Sequence, residues 1–484
     1  MTGLTEPTGP TGPTGPTITI TTPDALDAAA VRAVAAGARL HLDDALLAAV
    51  GERRAAAVAA LAEGAPAYGV TSGMGALADR RLTAEEQAGH SVRLMAARAV
   101  GEAPWLEQPE SRALVAVRLR TLLHPESGVS ADLCARLAAL LGRPDPLPPV
   151  PRTGNGAAGE ILPLAHAWAD LAADGLGPKE GIALLAGTPL ATALALLRAE
   201  ETRVLAHQAV LAAAGAIAVA GVPHDPYRPE LARDDDVLAG VLADLGRRLG
   251  DAPDPTLRRH LQAPVSLRVV GPVLAAVHRA ATALEDAAAR ALCGVTDSPA
   301  FLDDAFVGTP GFHGIDLAAT AAGARYAVVH AAAVGAARVH RLLDPEVTGL
   351  PAQLSADPGP QAGLTPLHKR LVGEVRAVAD GGVPLPMETS QGQEDVQSFA
   401  LEESERLRVA LGAWRTVLAG ELLAVHQARL LGAPVPTALQ PALDEVAAVL
   451  PEGADDRPRG TDLAAISALL AAGWSSPAPP AAGR

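Results

Sequence analysis

Aromatic residues are scarce in this sequence. Phe, Trp and Tyr together make up 2% of its 484 residues, whereas apolar residues make up 49%. Strands depend on aromatic and β-branched side chains, whereas Ala, Leu and Arg favour helices. The composition therefore predicts an all-α protein that is long enough to bury a large core.

Cysteine is nearly absent as well, since only Cys134 and Cys293 are present. Two cysteines so far apart exclude a disulfide framework and a thiolate metal cluster. The sequence also has no H-E-x-x-H pattern. We therefore expect no metal site.

Basic residues are outnumbered, and the formal net charge is −15. Such a chain repels phosphate backbones, so we expect no nucleic-acid partner. The longest uncharged apolar run, from Ala209 to Val222, is shorter than the roughly 20 residues that span a bilayer, so we expect no membrane association. The first 17 residues lack the apolar core of a secretory signal, which predicts a cytoplasmic protein.

Helical spacing of apolar residues divides the chain into segments. We predict a disordered tail at 1–17, an N-terminal domain at 18–179, a central bundle of long helices at 180–430, a C-terminal helical region at 431–474 and a disordered tail at 475–484. Helices are predicted over 43–62, 84–100, 109–122, 129–141, 180–221, 268–292, 315–342, 363–379 and 394–430, with a shorter helical region at 438–472.

Three local patterns have simple interpretations. GNGAAG at 154–159 matches a dinucleotide-binding turn, but the proline-rich segment before it cannot form the required strand. Asp234, Asp235 and Asp236 precede a helical pattern and are expected to cap it rather than bind a metal. His166 and Asp170, four residues apart on a predicted helix, favour a local hydrogen bond.

The loop YGVTSGMG at 68–75 is more informative. It contains three glycines and begins with Tyr68, one of three tyrosines in the chain. A glycine-rich segment can move as a lid, and a phenol with a lowered pKa can act as a general base. The loop is either functional or a simple turn.

Seven segments in order resemble the histidine and phenylalanine ammonia-lyase family, over about residues 40–430. These are YGVTSGMG (68–75), GAAGEILPLAH (156–166), KEGIALLAGT (179–188), QAPVSLR (262–268), TDSP (296–299), GFH (311–313) and QED (393–395). The resemblance implies an all-α ammonia-lyase-like fold with a central bundle of long helices. It also implies a homotetramer whose active sites are shared between subunits.

The family's cofactor, a methylideneimidazolone, forms when an Ala-Ser-Gly backbone cyclises and the serine loses water. Here the triplet is Ala157, Ala158 and Gly159. Because alanine has no β-hydroxyl to lose, we expect this cofactor to be absent and no other cofactor to replace it.

Three further positions depart from the family pattern. Ala96 aligns with a histidine, Ala186 with an asparagine and Val265 with a tyrosine, at positions that support the cofactor or contact substrate in the family. Their joint loss favours natural divergence over a single Ser→Ala substitution at 158. It also predicts a larger, less polar cavity and a bulkier ligand.

Other site positions are retained. The resemblance assigns a catalytic role to Tyr68 and Glu394, although Glu394 is equally well interpreted as a structural ion-pair partner. It assigns substrate binding to Arg268, Gln262, Phe312 and Gln393. Arg268 offers a planar donor fork suited to a carboxylate, although a buried structural ion pair is its other interpretation.

The sequence thus predicts a cofactor-independent enzyme of specialised metabolism in which Tyr68 moves a proton on a small carboxylate- or carbonyl-bearing molecule. The backbone N–H groups of Ala158, Gly159 and Glu160 could stabilise developing negative charge. Elimination, addition, isomerisation and cyclisation all remain open. Two alternatives are an ordinary ammonia-lyase inactivated at 158 and a non-catalytic binding subunit.

Overall fold

The computed structural model describes residues 15–87, 89–250, 262–356, 363–382 and 384–475. It confirms the predicted all-α fold. The tails predicted at 1–17 and 475–484 lie almost wholly outside the described residues, and Thr17 already belongs to a strand.

The helices have the following bounds: α1 Ala28–Ala35, α2 Asp44–Ala62, α3 Ala84–Gln87, α4 His90–Ala96, α5 Gln108–Leu123, α6 Ala131–Leu140, α7 Ile161–Ala173, α8 Glu180–Leu185, α9 Pro189–Ala220, α10 Asp236–Leu249, α11 Val265–Arg268, α12 Val270–Cys293, α13 Ile315–Leu342, α14 Pro345–Thr348, α15 Thr365–Ala379, α16 Ala400–Leu430, α17 Gln440–Ala448 and α18 Gly460–Ala471. Strands β1 (Thr17–Ile20) and β2 (Arg39–Leu42) pair in parallel, with Thr17 opposite Arg39. Strands β3 (Ala300–Leu302) and β4 (Ala305–Val307) pair antiparallel.

The described chain forms two compact units. The first comprises residues up to 197 together with 284–321 and 383–405, and the second comprises 198–283, 322–382 and the residues from 406 onward. Helices α9, α12, α13 and α16 contribute residues to both units, so neither unit is a contiguous segment of the chain.

Helix α5 lies in the core of the first unit. Most of its side chains are buried, including the charged ones of Arg118 and Arg120. The buried guanidinium groups bond to backbone carbonyls: Arg118 Nη1 donates to Ala183 O at 2.9 Å, and Arg120 Nε donates to Leu292 O at 2.9 Å. Hydrogen-bonded burial of this kind avoids the cost of an unpaired charge.

Helix α16 has the corresponding place in the second unit. Glycines allow its neighbours to approach closely: a Cβ added at Gly215 of α9 would lie 2.9 Å from Val425 Cγ1, and one at Gly335 of α13 would lie 2.8 Å from Val417 Cγ1. Arg338 of α13 also forms a buried ion pair with Glu421, with Nε and Oε1 2.5 Å apart. The long helices of this unit therefore pack as a bundle.

The helix predicted over 180–221 is interrupted. Helix α8 ends at Leu185 and α9 begins at Pro189, so Ala186, Gly187 and Thr188 form a break. Gly187 has φ +88°, and an added Cβ there would lie 2.9 Å from Thr296 O. Only glycine suits a left-handed position so close to another backbone segment. Likewise, 84–100 and 438–472 each contain two helices, and α16 begins at Ala400 rather than 394.

Two stretches are long and apolar enough to cross a membrane, Glu180–Ala220 and Ile315–Leu342. The apolar window is 94% buried inside the protein in the first and 39% buried in the second. Buried core helices of soluble proteins also have this length and composition, so these stretches are weak support for a membrane span.

The local predictions for two polar patterns have different outcomes. Asp235 caps α10, accepting from Leu238 N at 3.0 Å, as predicted for the Asp234–Asp236 cluster. The ring of His166 does not bond to Asp170; its Nε2 instead accepts from Gly101 N at 2.8 Å. The ring of His166 therefore bonds to a backbone N–H that is distant in the sequence, not to the side chain four residues along the helix.

Candidate active site

A cavity of about 270 Å³ within the first unit brings together many of the predicted site residues. Its wall is formed by the tyrosine loop, the loop that contains Ala158, the break between α8 and α9, residues 298–312, and the pair Gln393 and Glu394. Most of the lining groups are apolar, with a few convergent polar groups. This is the usual composition of a small-molecule site.

Tyr68 is half-buried in this wall and is held by its own loop. Gly75 has φ +59°, and its N–H donates to the Tyr68 phenol oxygen at 2.9 Å. Burial raises the pKa of Tyr68 above 10.0, and the charge of Glu394 raises it further, whereas the Gly75 N–H and Arg98 act in the opposite direction. The phenol is therefore protonated at neutral pH, in contrast to the lowered pKa considered from the sequence.

The loop that contains the altered triplet is fixed at both ends. Asn155 Nδ2 donates to Gly159 O at 2.7 Å. Glu160 is buried and accepts from Leu190 N and Ala191 N, each at 2.7 Å, at the start of α9. Burial raises the pKa of Glu160 to about 7 although these N–H groups oppose the shift.

Glu394 contacts this loop directly. Its Oε2 accepts from Ala158 N at 3.4 Å and from Thr389 Oγ1 at 3.3 Å. Glu394 therefore already accepts a hydrogen bond from one of the three backbone N–H groups that the sequence suggested for stabilising an oxyanion. Phe312 and Gln393 line the same cavity, as the resemblance implied.

A buried ion pair lies next to the cavity wall. Lys179 Nζ is 2.6 Å from Asp297 Oδ2, and the two side chains are 0% and 2% exposed. Burial lowers the pKa of Lys179, while Asp297 raises it. Asp297 directly precedes Ser298, which lines the cavity, and Arg118 donates to the carbonyl of Ala186, another lining residue.

Arg268 and Gln262 are not among the residues that line this cavity. Both belong to the second unit, where Arg268 Nε donates to Ala263 O at 2.9 Å and Gln262 is exposed. Of the altered positions, Ala186 lines the cavity, whereas Val265 is 59% exposed and Ala96 is exposed at the end of α4.

Two further cavities in the first unit border the candidate site. One is about 500 Å³ and is lined by the tyrosine loop and by α3 and α4. The other is about 370 Å³ and includes Gly156, Ala157 and Glu394. Met74 lines all three cavities, and Arg98 lines both of the additional ones.

No group of three or more His, Cys, Asp and Glu side chains in the described residues could hold a metal ion. Cys134 is buried and Cys293 is exposed, and both are free thiols.

Some residues in or beside the candidate site had no role in the sequence argument. Ser298 and Lys179 lie in the motifs TDSP and KEGIALLAGT, so the motifs marked their position but not their contacts. Met74 lies within the tyrosine loop, and Thr309 lies just before GFH. Arg98 is in no motif, and only the folded structure brings it near Tyr68.

The comparisons with known proteins agree with this fold. The sequence profile described as aromatic amino acid lyase matches residues 26–176 and 168–450. A histidine ammonia-lyase from Anaeromyxobacter sp. (strain K) is 30% identical over 492 residues, covering 91% of this chain and 96% of the relative.

Solved structures show the same fold. Ergothionase from Treponema denticola, an ergothioneine-degrading enzyme, has a TM-score of 0.86 at 19% identity, covering 94% of this chain and 99% of the other. Tyrosine aminomutase from Streptomyces globisporus has a TM-score of 0.83 at 23% identity, covering 92% and 95%. With the family profile matched over most of its length, this chain belongs to the aromatic amino acid lyase family.

Proposed function

We propose that this chain is an enzyme of the ammonia-lyase family that works without methylideneimidazolone and uses Tyr68 as its general acid–base. The observation that carries the proposal is that Tyr68, Glu394 and Ala158 line one cavity. The residues present do not fit the cofactor, because Ala158 has a methyl group where the cyclising residue must lose a hydroxyl. Proton transfer is the chemistry that the remaining groups support.

The protonation state of Tyr68 sets the direction of the first step. Because burial raises its pKa, Tyr68 meets the substrate as a phenol and donates its proton to an oxygen or a leaving group. The Gly75 N–H and the positive charge of Arg98 stabilise the resulting phenolate. The phenolate can then remove a proton from carbon, which returns the residue to its starting state.

The remaining groups hold the substrate. Ala158 N already donates to Glu394, which leaves the N–H groups of Gly159 and Glu160 for developing negative charge. Phe312 and Gln393, which line the same cavity, contact and orient the substrate. This arrangement suits elimination, addition, isomerisation or cyclisation of a small molecule whose leaving group or carbonyl needs no covalent electrophile.

A homotetramer completes the site in this proposal. Arg268 and Gln262 line no part of the cavity within their own chain, so we infer that a neighbouring copy supplies them. Mixing Tyr68→Phe with Arg268→Gln protein tests this, since shared sites regain activity when one site receives both intact residues. A mixture with no regained activity contradicts shared sites.

Mass spectrometry of a defined compound panel tests the catalytic role. The panel contains histidine, tyrosine, phenylalanine, their unsaturated deamination products, and ergothioneine, the compound degraded by the structural neighbour. We expect the wild type to convert at least one compound and Tyr68→Phe to lower its turnover about 100-fold or more. The control Tyr326→Phe, at a 76% exposed tyrosine, should retain wild-type turnover.

Other outcomes favour other functions. Equal turnover by wild type and Tyr68→Phe contradicts the role of Tyr68. If Ala158→Ser gains the near-ultraviolet absorbance of the cofactor and releases ammonia from an amino acid, the chain is an ordinary ammonia-lyase with an inactivating substitution. If a compound of the panel binds to the protein but no variant converts it, the result favours a non-catalytic binding site.

A further inference from the structure

Arg98 lies two residues beyond the end of α4, beside the candidate site. It lines the cavities of about 500 and 370 Å³, and the second of these also contains Glu394. Met74 lines both of them together with the cavity that contains Tyr68. A ligand bound near Tyr68 therefore needs to extend only past Met74 and Glu394 to reach Arg98.

The guanidinium of Arg98 is half-buried, and most of its hydrogen-bond donors are unused within the described chain. A guanidinium has five N–H donors, and within the described chain Arg98 uses one of them, from Nη1 to Leu94 O at 3.2 Å. Burial lowers its pKa, whereas the charges of Tyr68 and Glu394 raise it, so the three groups interact electrostatically. Arg98 is thus a partly desolvated cation near Tyr68 and Glu394, and no carboxylate among the described residues is bonded to it.

The other arginines of the larger cavity, Arg80 and Arg93, are exposed, whereas Arg98 is half-buried. Arg80 forms an ion pair with Glu86, and Arg93 Nη2 donates to Glu86 O at 2.5 Å. Neither contributes to the pKa shift of Tyr68, whereas Arg98 does. Arg98 is therefore the cation in this region that a ligand in the candidate site can use.

We propose that Arg98 binds a second anionic group of the substrate, a carboxylate or a similar oxyanion at the end remote from the carbon on which Tyr68 acts. The inference rests on the proposed function in two respects, that the Tyr68 cavity is the active site and that a neighbouring copy supplies Arg268. A guanidinium suits this task because its planar fork bonds both oxygens of a carboxylate. The substrate class is then a small molecule with two anionic groups, one for Arg98 and one for Arg268.

Equilibrium binding of two matched probes tests the proposal without requiring turnover. The probes are 4-carboxycinnamate and 4-carbamoylcinnamate, which have nearly the same shape but differ by one negative charge on the ring. We expect the wild type to bind the dicarboxylate about 10-fold or more tightly than the amide, as for a hydrogen-bonded charged group. Arg98→Gln should abolish this preference, and Arg98→Lys should retain part of it.

Arg93→Gln is the matched control, because it removes a cation from the same cavity away from Tyr68. It should leave the preference for the dicarboxylate unchanged. A wild type without the preference, or an Arg98→Gln variant that keeps it, overturns the proposal. Tyr68→Phe should keep the preference. If this variant also keeps wild-type turnover, the proposed chemistry fails and the inference about Arg98 stands; if turnover falls but Arg98→Gln keeps the preference, the inference fails and the chemistry stands.

Discussion

Substitution of Asp297 by Asn isolates the buried charge of Lys179. The ion pair has a separation of 2.6 Å and side-chain exposures of 0% and 2%, so water does not solvate either group. Asparagine keeps the shape of the side chain but removes the charge. Breaking a buried pair in this way leaves the partner uncompensated and typically costs about 3–5 kcal/mol.

The cost has an upper bound, because Lys179 can release its proton instead of remaining charged. Starting from the ordinary lysine pKa of 10.5, deprotonation at pH 7 costs about 5 kcal/mol, and at pH 9 about 2 kcal/mol. In the Asp297→Asn variant the folded-state pKa of Lys179 lies below its unfolded value, so the unfolded chain binds more protons. The variant should therefore regain stability as pH rises, by about 1.4 kcal/mol per unit.

Urea denaturation, followed by circular dichroism at pH 7 and pH 9, measures the loss of stability and its pH dependence as the difference in the free energy of unfolding between the variant and the wild type. Asp316→Asn is the matched control, because Asp316 and Arg290 form an ion pair that is 53% and 59% exposed. Such a pair contributes about 0–1 kcal/mol. If Asp297→Asn loses no more stability than the control, or if its loss is the same at both pH values, the reasoning is refuted.

Two further predictions concern stability. Burial raises the pKa of Glu160 from 4.5 to about 7, so the folded state holds this proton more tightly than the unfolded chain does, and the stability that the bound proton contributes is lost as pH rises through this range. Over the same range, the free energy of unfolding of Glu160→Gln relative to the wild type should rise by about 3 kcal/mol. A constant difference would contradict the shift. Gly412→Ala on α16 should raise the free energy of unfolding by about 0.5–1 kcal/mol, because an added Cβ there meets nothing within 4 Å. Gly215→Ala should lower the free energy of unfolding by about 1–3 kcal/mol, because the added Cβ would lie 2.9 Å from Val425 Cγ1. Thermal denaturation of the Gly412→Ala and Gly215→Ala variants shows whether the two changes in stability have opposite signs.

Much of the fold could be predicted because it depends on local patterns. The apolar spacing predicted α13 at 315–342 with its bounds, and α2 and α5 within one residue at each end. Apolar spacing continues across the break at Gly187 and so does not predict it, although Gly187 and Pro189 are residue types that commonly end and begin helices. The backbone oxygen of Thr296, which is more than 100 positions further along the chain, lies close to Gly187 at this break.

Within the candidate site, the sequence alone determined the covalent chemistry that is possible. The missing hydroxyl at Ala158 and the phenol at Tyr68 are properties of those residues in any conformation. The motifs also predicted that Phe312, Gln393 and Glu394 belong to one site, and they line one cavity.

Only the tertiary structure decided how these groups are charged and what surrounds them. The pKa of Tyr68 is raised rather than lowered because folding buries the phenol, and burial cannot be read from a motif. Arg98, which follows α4 and belongs to no motif, lies in the same region only in the folded chain. Lys179 forms its ion pair with Asp297, which is 118 residues away in the sequence. Such contacts depend on long-range packing, whereas the identity of a reacting atom depends on the residue itself.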